Sequence, residues 1–333
     1  MITLEALRMG YKKGQRKDLP LTVPLSFTAQ AGEMTGIVGP NGVGKSTLLR
    51  TLARQQEALG GRILLQGEPV ENFARHTFAR LCSFVPAGHL PVHRLTVYDT
   101  VATARYPYTG WQGRLSPEDK EAVRQALEAV QLSPLQERQV GELSDGEQQR
   151  TLIARALAQE TPMVLLDEPT AFLDIPNRYE VLQTMREISR QKEKLFIFSS
   201  HDLEFLLETA DKIWLIYPGE AFEGSPEDLL KENRFDPLFR NTGITYEIGR
   251  GLLIPHTAGR GCITLAGDPQ ERRWVEKGLK RAGFTVETDT GVSPGTRHIT
   301  LHKGKICLKE KNHDPEHEFY SIYSLILYLK QSR

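Results

Sequence analysis

Cysteine is scarce in this chain: three residues in 333, Cys82, Cys262 and Cys307, none at a spacing that would hold a metal. A disulfide framework and a thiolate zinc site are thereby excluded, and the thiols suit a reducing compartment. An excess of charge is missing too. Forty-two basic residues balance 42 acidic ones, which argues against a general polyanion-binding surface and against nucleic acid as a partner. No apolar run reaches the ~18 residues a spanning helix needs. The richest, Phe319 to Leu329, is short and broken by serines. The N-terminal Met1-Ile2-Thr3-Leu4-Glu5 lacks the basic and apolar regions of a signal peptide. A soluble, cytosolic protein is the expectation, long enough for one large domain or two moderate ones.

The chain does contain Gly39-Pro40-Asn41-Gly42-Val43-Gly44-Lys45-Ser46-Thr47, which fits the phosphate-cradling pattern G-x-x-x-x-G-K-[ST]. Glycines let the backbone turn its N–H groups inward, so a polyphosphate meets several donors at once. A helix expected over Ser46 to Arg54 adds the positive end of its dipole. Lys45 can reach the β- and γ-phosphates, and the Ser46 hydroxyl can ligate Mg²⁺. Met34 to Val38 reads as a short buried strand, which supplies the strand–loop–helix context the motif requires. The pattern predicts a bound nucleoside triphosphate.

Elsewhere the periodicity predicts an α/β chain. Residues 2 to 30 alternate as antiparallel strands, and Gly60 to Gly67 is a strand bounded by glycines. From Thr96 to about Val130 the pattern is helical, with Ser116 a cap before Pro117. Met163 to Leu166 and Leu195 to Phe198 are nearly continuous apolar strands around an amphipathic helix, Tyr179 to Arg190. Buried strands alternating with helices imply a mainly parallel sheet covered on both faces. Composition changes near residue 235, so a boundary is expected between Phe235 and Thr242, giving domains 1–238 and 239–333. The second is a small α+β unit with strands at 244–248, 262–266, 284–288, 298–302 and 306–309 and helices at 270–281 and about 315–330. Its residues carry no clear motif. The pairs His298/His302 and His313/His317 admit either a metal site or solvated side chains.

Two further segments carry chemistry. Met163-Val164-Leu165-Leu166-Asp167-Glu168 is an apolar strand ending in two acids. Asp167 can hold Mg²⁺ through water, and Glu168 can polarise an attacking water as general base. His201 follows the next buried strand and can hydrogen-bond a γ-phosphate or steady Glu168. Leu143-Ser144-Asp145-Gly146-Glu147-Gln148 opens another helix with a serine cap, which by itself is as readily an ordinary capped helix as an anion site.

In their order and spacing these segments resemble an ATP-binding cassette (ABC) ATPase over residues 2 to about 232: phosphate loop, signature Leu143–Gln148, acidic strand, Ala171-Phe172-Leu173-Asp174 as D-loop, and switch His201. The resemblance implies a phosphate-loop core sheet with an antiparallel β subdomain and a helical subdomain. It implies Mg-ATP hydrolysis in a head-to-tail homodimer. Each ATP would lie between one subunit's loop and the other's signature (Ser144, Asp145, Gly146, Glu147), with Asp174 at the dimer contact and Tyr11 stacked on adenine. Val101-Ala102-Thr103-Ala104-Arg105-Tyr106-Pro107-Tyr108 is similar to the importer branch for iron-siderophores, haem and cobalamin, where this segment touches a membrane permease. A peripheral position on the inner membrane face and an external binding protein are implied with it.

The chain departs from the family pattern twice. Ala87 stands where a glutamine usually contacts Mg²⁺ and the attacking water, and nearby His89 could substitute in part. This points to weaker or rewired coupling, with a weakly turning regulatory cassette as the alternative to a transport motor. Asp145 replaces a glycine and Glu147 a glutamine. A carboxylate at a helix N-terminus gains about 0.3–1 kcal/mol from the dipole. Against a phosphate charge ~6 Å away it would lose ~3 kcal/mol at an effective dielectric near 20. Asp145 is therefore expected to turn away, leaving the phosphate contacts to Ser144 and Gly146.

Overall fold

The computed structural model describes all residues except 14–15, 89–93, 111, 172, 241–243, 248–251, 256–259, 289–296, 303, 311–315 and 332–333. The chain divides into two compact units, Met1–Arg234 and Phe235–Arg333.

The first unit opens with strands β1 (Ile2–Arg8), β2 (Gly10–Lys13), β3 (Arg16–Pro20) and β4 (Thr28–Ala29), followed by β5 (Met34–Val38) and helix α1 (Lys45–Leu52). Next come β6 (Gly60–Leu65), β7 (Glu68–Pro69), α2 (Arg75–Phe78), β8 (Cys82–Val85), α3 (Val97–Ala102), α4 (Pro117–Ala129), α5 (Asp145–Ala158) and β9 (Met163–Leu166). Then α6 (Ile175–Lys192), β10 (Leu195–Ser199), α7 (Leu203–Thr209), β11 (Lys212–Ile216), β12 (Ala221–Gly224) and α8 (Pro226–Lys231) complete the unit. An antiparallel sheet β4-β1-β6-β7 lies beside a six-stranded sheet β12-β11-β5-β10-β9-β8, whose inner pairs are all parallel. Every residue of β5, β9 and β10 is buried, as a strand covered on both faces requires. Leu48, Leu49 and Leu52 of α1 join Ile2, Leu4, Ile63 and Ile197 in one core.

The long helical stretch expected from Thr96 is broken. After α3 a 3-10 turn spans Thr103–Arg105 and the chain turns until Pro117. Pro107 and the left-handed Gly113 (φ 65°) cannot continue a helix. α4 then starts as expected, on a capping box between Ser116 and Asp119.

Lys194, in the turn from α6 to β10, is buried with its ammonium donating to the Thr161 carbonyl. Burial, reinforced by Lys192, lowers its pKa from 10.5 to about 8. The unfolded chain therefore binds this proton up to a higher pH than the fold does, so stability rises with pH between about 8 and 10.5. Chemical denaturation of wild type and Lys194→Met across that window should show a rise in the first that flattens in the second.

The second unit holds α9 (Asp236–Phe239), β13 (Ile244–Glu247), β14 (Leu252–Pro255), β15 (Cys262–Ala266), α10 (Pro269–Ala282), β16 (Thr285–Thr288), β17 (Arg297–His302), β18 (Lys305–Lys309), β19 (His317–Phe319) and α11 (Ile322–Gln331). Its sheet runs β16-β15-β17-β18-β19, and the two longer helices close a core of Ile263, Leu265, Val275, Leu279, Leu308 and Leu325. The helix expected from about Pro315 begins only at Ile322. His317–Phe319 instead pairs with β18, and the Ser321 hydroxyl accepts the Ser324 amide at 3.1 Å to start the helix. His298 and His302 lie four residues apart on β17, about 13 Å along a strand, too far to share a metal. His313 falls outside the described residues.

Candidate functional site

β5, β10 and β9 are parallel neighbours, so the segments leaving their carboxyl ends lie side by side. These are the phosphate loop, the Ser199–His201 turn and Asp167–Glu168. A crevice outside such strand ends is where open α/β sheets bind ligands.

Gly39 and Gly44 shape the loop. A Cβ at Gly39 would lie 2.2 Å from the Ile216 carbonyl oxygen, and Gly44, at φ 104°, caps α1 in the left-handed region. Lys45, the first helical residue, is buried, and its Nζ donates to the carbonyls of Gly39 (2.8 Å) and Pro40 (3.2 Å). Burial lowers its pKa, opposed by the carboxylates of Glu168 and Asp167. A bound phosphate can take over those hydrogen bonds. Asn41 and Gly42 are exposed at the loop tip, whereas Val43 is buried and anchors it.

Asp167 is buried, and its Oδ1 accepts from Ser46 Oγ (3.0 Å) and Ser199 Oγ (2.8 Å). The same Ser199 hydroxyl accepts the Glu168 amide at 3.0 Å. Glu168 itself sits at φ 52°, a left-handed backbone that costs a non-glycine residue about 1–3 kcal/mol. Its Oε1 lies 2.5 Å from His201 Nε2. Lys45, Ser46, Asp167, Glu168 and His201 thus converge, and a carboxylate paired with an imidazole beside a lysine can bind, orient and deprotonate. Ser199 was not singled out by the sequence reading, since a serine closing a buried strand carries no distinctive spacing. Tyr11 is 52% exposed, and its hydroxyl lies 3.4 Å from Thr47 Oγ1, leaving the ring accessible above the start of α1.

The remaining candidates stand on other elements. Ser144 caps α5, and Glu147 Oε2 accepts both the Ser144 amide (2.8 Å) and its hydroxyl (2.9 Å), a reciprocal capping box. The Ser144 amide, more than the burial that opposes it, holds the Glu147 carboxyl below the usual range. The pattern S-x-x-E that announces such a box was visible in the sequence. Gly146 lies against Leu173, where an added Cβ would stand 3.3 Å from Cδ2. Asp174 caps α6, accepting the Asn177 amide at 3.1 Å. Ala87 is exposed after β8, and His89 falls outside the described residues.

Two family models match the chain: "ABC transporter" over residues 23–171 and "Iron ABC transporter C-terminal domain" over residues 260–330. The probable siderophore transport system ATP-binding protein YusV of Bacillus subtilis is 36% identical over 266 residues, covering 79% of this chain and 94% of that protein. This chain belongs to the ABC transporter ATP-binding family. ATP hydrolysis is the reaction of that family, and the ABC ATPase fold implied by the motifs is the fold observed. The ferric enterobactin transport ATP-binding protein FepC of Escherichia coli is 34% identical, over 71% of this chain and 85% of its own. Among solved structures, a transporter described as of the metal-chelate type, in an inward-facing conformation, aligns at TM-score 0.61 and 27% identity over 72% of this chain and 88% of its own. The dimeric cassette MJ0796 aligns at TM-score 0.59 and 23% identity over 68% of this chain and 99% of its own, a likeness of fold. The second family match gives the C-terminal unit of this ABC ATPase an identity that its own residues had not supplied.

Proposed function

We propose that this ABC ATPase powers import of an iron-siderophore or a related haem or cobalamin chelate, working as a homodimer under a membrane permease supplied by an external binding protein. The observation that carries the reading is the run of relatives named for siderophore transport, together with the iron-transporter match over residues 260–330. Among the described residues no helix is long and apolar enough to cross a membrane, so a separate permease fits. A cavity of about 800 Å³ lined by Arg54, Gln56, Arg75, Phe78, Arg155 and Gln159 offers a seat for it. Burial lowers the Arg155 pKa, and a carboxylate on the docking element would complement that guanidinium.

At the site, Lys45 binds the terminal phosphates, Glu168 takes the proton of the attacking water, and His201 holds Glu168 in place. Ser46 and Asp167 present hard oxygen donors already 3.0 Å apart, which suit Mg²⁺. Among the described residues no group of three or more His, Cys, Asp or Glu could hold a metal. Mg²⁺ is commonly held by one or two protein oxygens together with substrate phosphates. Bound there, Mg²⁺ would supply charge neutralisation. Each Ser144 and Gly146 would close on the ATP of the partner subunit, with the Asp145 carboxylate turned aside.

Deleting the gene should abolish uptake of at least one ⁵⁵Fe-loaded siderophore, restored by wild type and not by Glu168→Gln. Unchanged uptake across hydroxamate, catecholate and carboxylate siderophores, haem and cobalamin would refute the import reading.

A further inference from the structure

Resting on the assignments of Glu168 as the base, His201 as the residue that holds it and Asp174 as a dimer contact, we infer that Arg178 is a positioning residue for ATP hydrolysis. It ties the turn that carries His201 to the first turn of α6. The seat of the histidine against Glu168 then follows the position of the segment headed by Asp174.

His201 needs such a tether. Its side chain is 50% exposed and stands on a turn between β10 and α7, so packing alone does not fix the ring. The turn is held from both flanks. On one side Ser199 engages Asp167 and the Glu168 amide. On the other, Asp202 divides its carboxylate between two tasks. Oδ1 accepts the Phe205 amide at 3.2 Å and caps α7, while Oδ2 takes Nη1 of Arg178. The Asp202 amide is itself bound by Ser200 Oγ at 3.0 Å.

Arg178 stands one helical turn beyond the cap Asp174. Its guanidinium carbon lies 6.0 Å from the centre of the Phe205 ring. The next residue adds a second strap: the Tyr179 hydroxyl donates to Glu208 at 3.2 Å, and its ring meets Phe205 edge-on at 6.4 Å. Through these contacts α6 grips the residue following His201, Phe205 in the first turn of α7 and Glu208 in its last. Any shift of the first turn of α6 is passed to the imidazole. A half-buried ion pair adds little to stability by itself, so its use here is placement.

The test uses the whole 333-residue chain, with ATP turnover, ATP binding and thermal unfolding measured in parallel. Arg178→Gln and Asp202→Asn both sever the pair, and asparagine keeps the α7 cap. Each should lower kcat about 10- to 100-fold, the range for a displaced positioning group, with KM for ATP and the melting temperature nearly unchanged. The double variant should be no slower than either single one, because both remove the same link. Arg178→Lys should recover most of the rate. The inference is overturned if Arg178→Gln keeps kcat within twofold of wild type, if the two losses multiply, or if kcat falls only together with binding and melting temperature. Glu168→Gln run alongside separates the two levels: a rate indifferent to Glu168 refutes the site itself, whereas a Glu168-dependent rate indifferent to Arg178 refutes only the tether.

Discussion

Replacing Glu168 by glutamine lowers ATP turnover by about 10²–10⁴-fold, the share a positioned general base contributes. ATP affinity stays within a few-fold of wild type. The glutamine is nearly isosteric, can still hydrogen-bond His201 and leaves the phosphate loop untouched, so the loss falls on kcat. The geometry makes the substitution clean. The backbone of Glu168, at φ 52°, is tied by the hydrogen bond its amide donates to Ser199 Oγ, a contact the substitution leaves intact. The Asp167 carboxylate keeps its own partners, Ser46 and Ser199. With hydrolysis stopped, ATP-bound dimers should accumulate, visible as a shift in size-exclusion elution. A variant retaining more than a tenth of wild-type turnover would remove Glu168 from the role of base.

What the sequence disclosed about this site was what each local pattern could carry. Gly39–Thr47 announces a phosphate loop because its glycines and lysine are contiguous. Asp167 and Glu168 stand out because two acids close an apolar run. His201 was found by its place after the next such run. Their convergence follows from parallel strand order. Contacts between distant residues were hidden: Ser199 serves two acids that are 31 and 32 positions away, and Arg178 meets Asp202 across the whole of β10. No periodicity marks such pairs. In the second unit the apolar run Phe319–Leu329 masked a strand–turn–helix. The edge pairing of His317–Phe319 with β18 consumed residues that local propensity assigned to a helix. Glu147 shows a different failure. Its position in the signature drew attention to phosphate, while its carboxylate is committed to the cap of its own helix.

Removing Arg105 carries the largest stability effect. Within the segment that the family resemblance sets against a permease, its side chain is 4% exposed and points inward. Nε donates to Asp119 at 2.8 Å, and Nη1 donates to the Ala158 carbonyl at 2.7 Å and to Glu160 at 2.8 Å. The Tyr108 ring lies 4.0 Å beneath the guanidinium, its hydroxyl donating to the Gln159 carbonyl at 2.9 Å. Arg80 approaches the same ring and donates to Pro107. One cation thus joins the turn after α3, the first turn of α4 and the end of α5, while the outward residue of the segment is Tyr106, 70% exposed. Burial alone would raise the Asp119 pKa, but hydrogen bonds from Ser116 and Arg105 outweigh it and hold the carboxyl below the usual range. Its stabilising share is therefore complete above the unfolded carboxylate pKa and is lost as pH falls through the lower folded value. Arg105→Met leaves that carboxylate buried without its cation, a loss of about 3–5 kcal/mol at neutral pH. Asp119→Asn in the same background should restore at least ~1 kcal/mol, because the stranded charge is gone. The defect should also shrink toward acid, where the stranded carboxyl takes up a proton. Urea unfolding at neutral pH and near pH 4 decides it: additive effects of the two substitutions, or a defect independent of pH, would show that Arg105 acts through its packing volume and not through its charge.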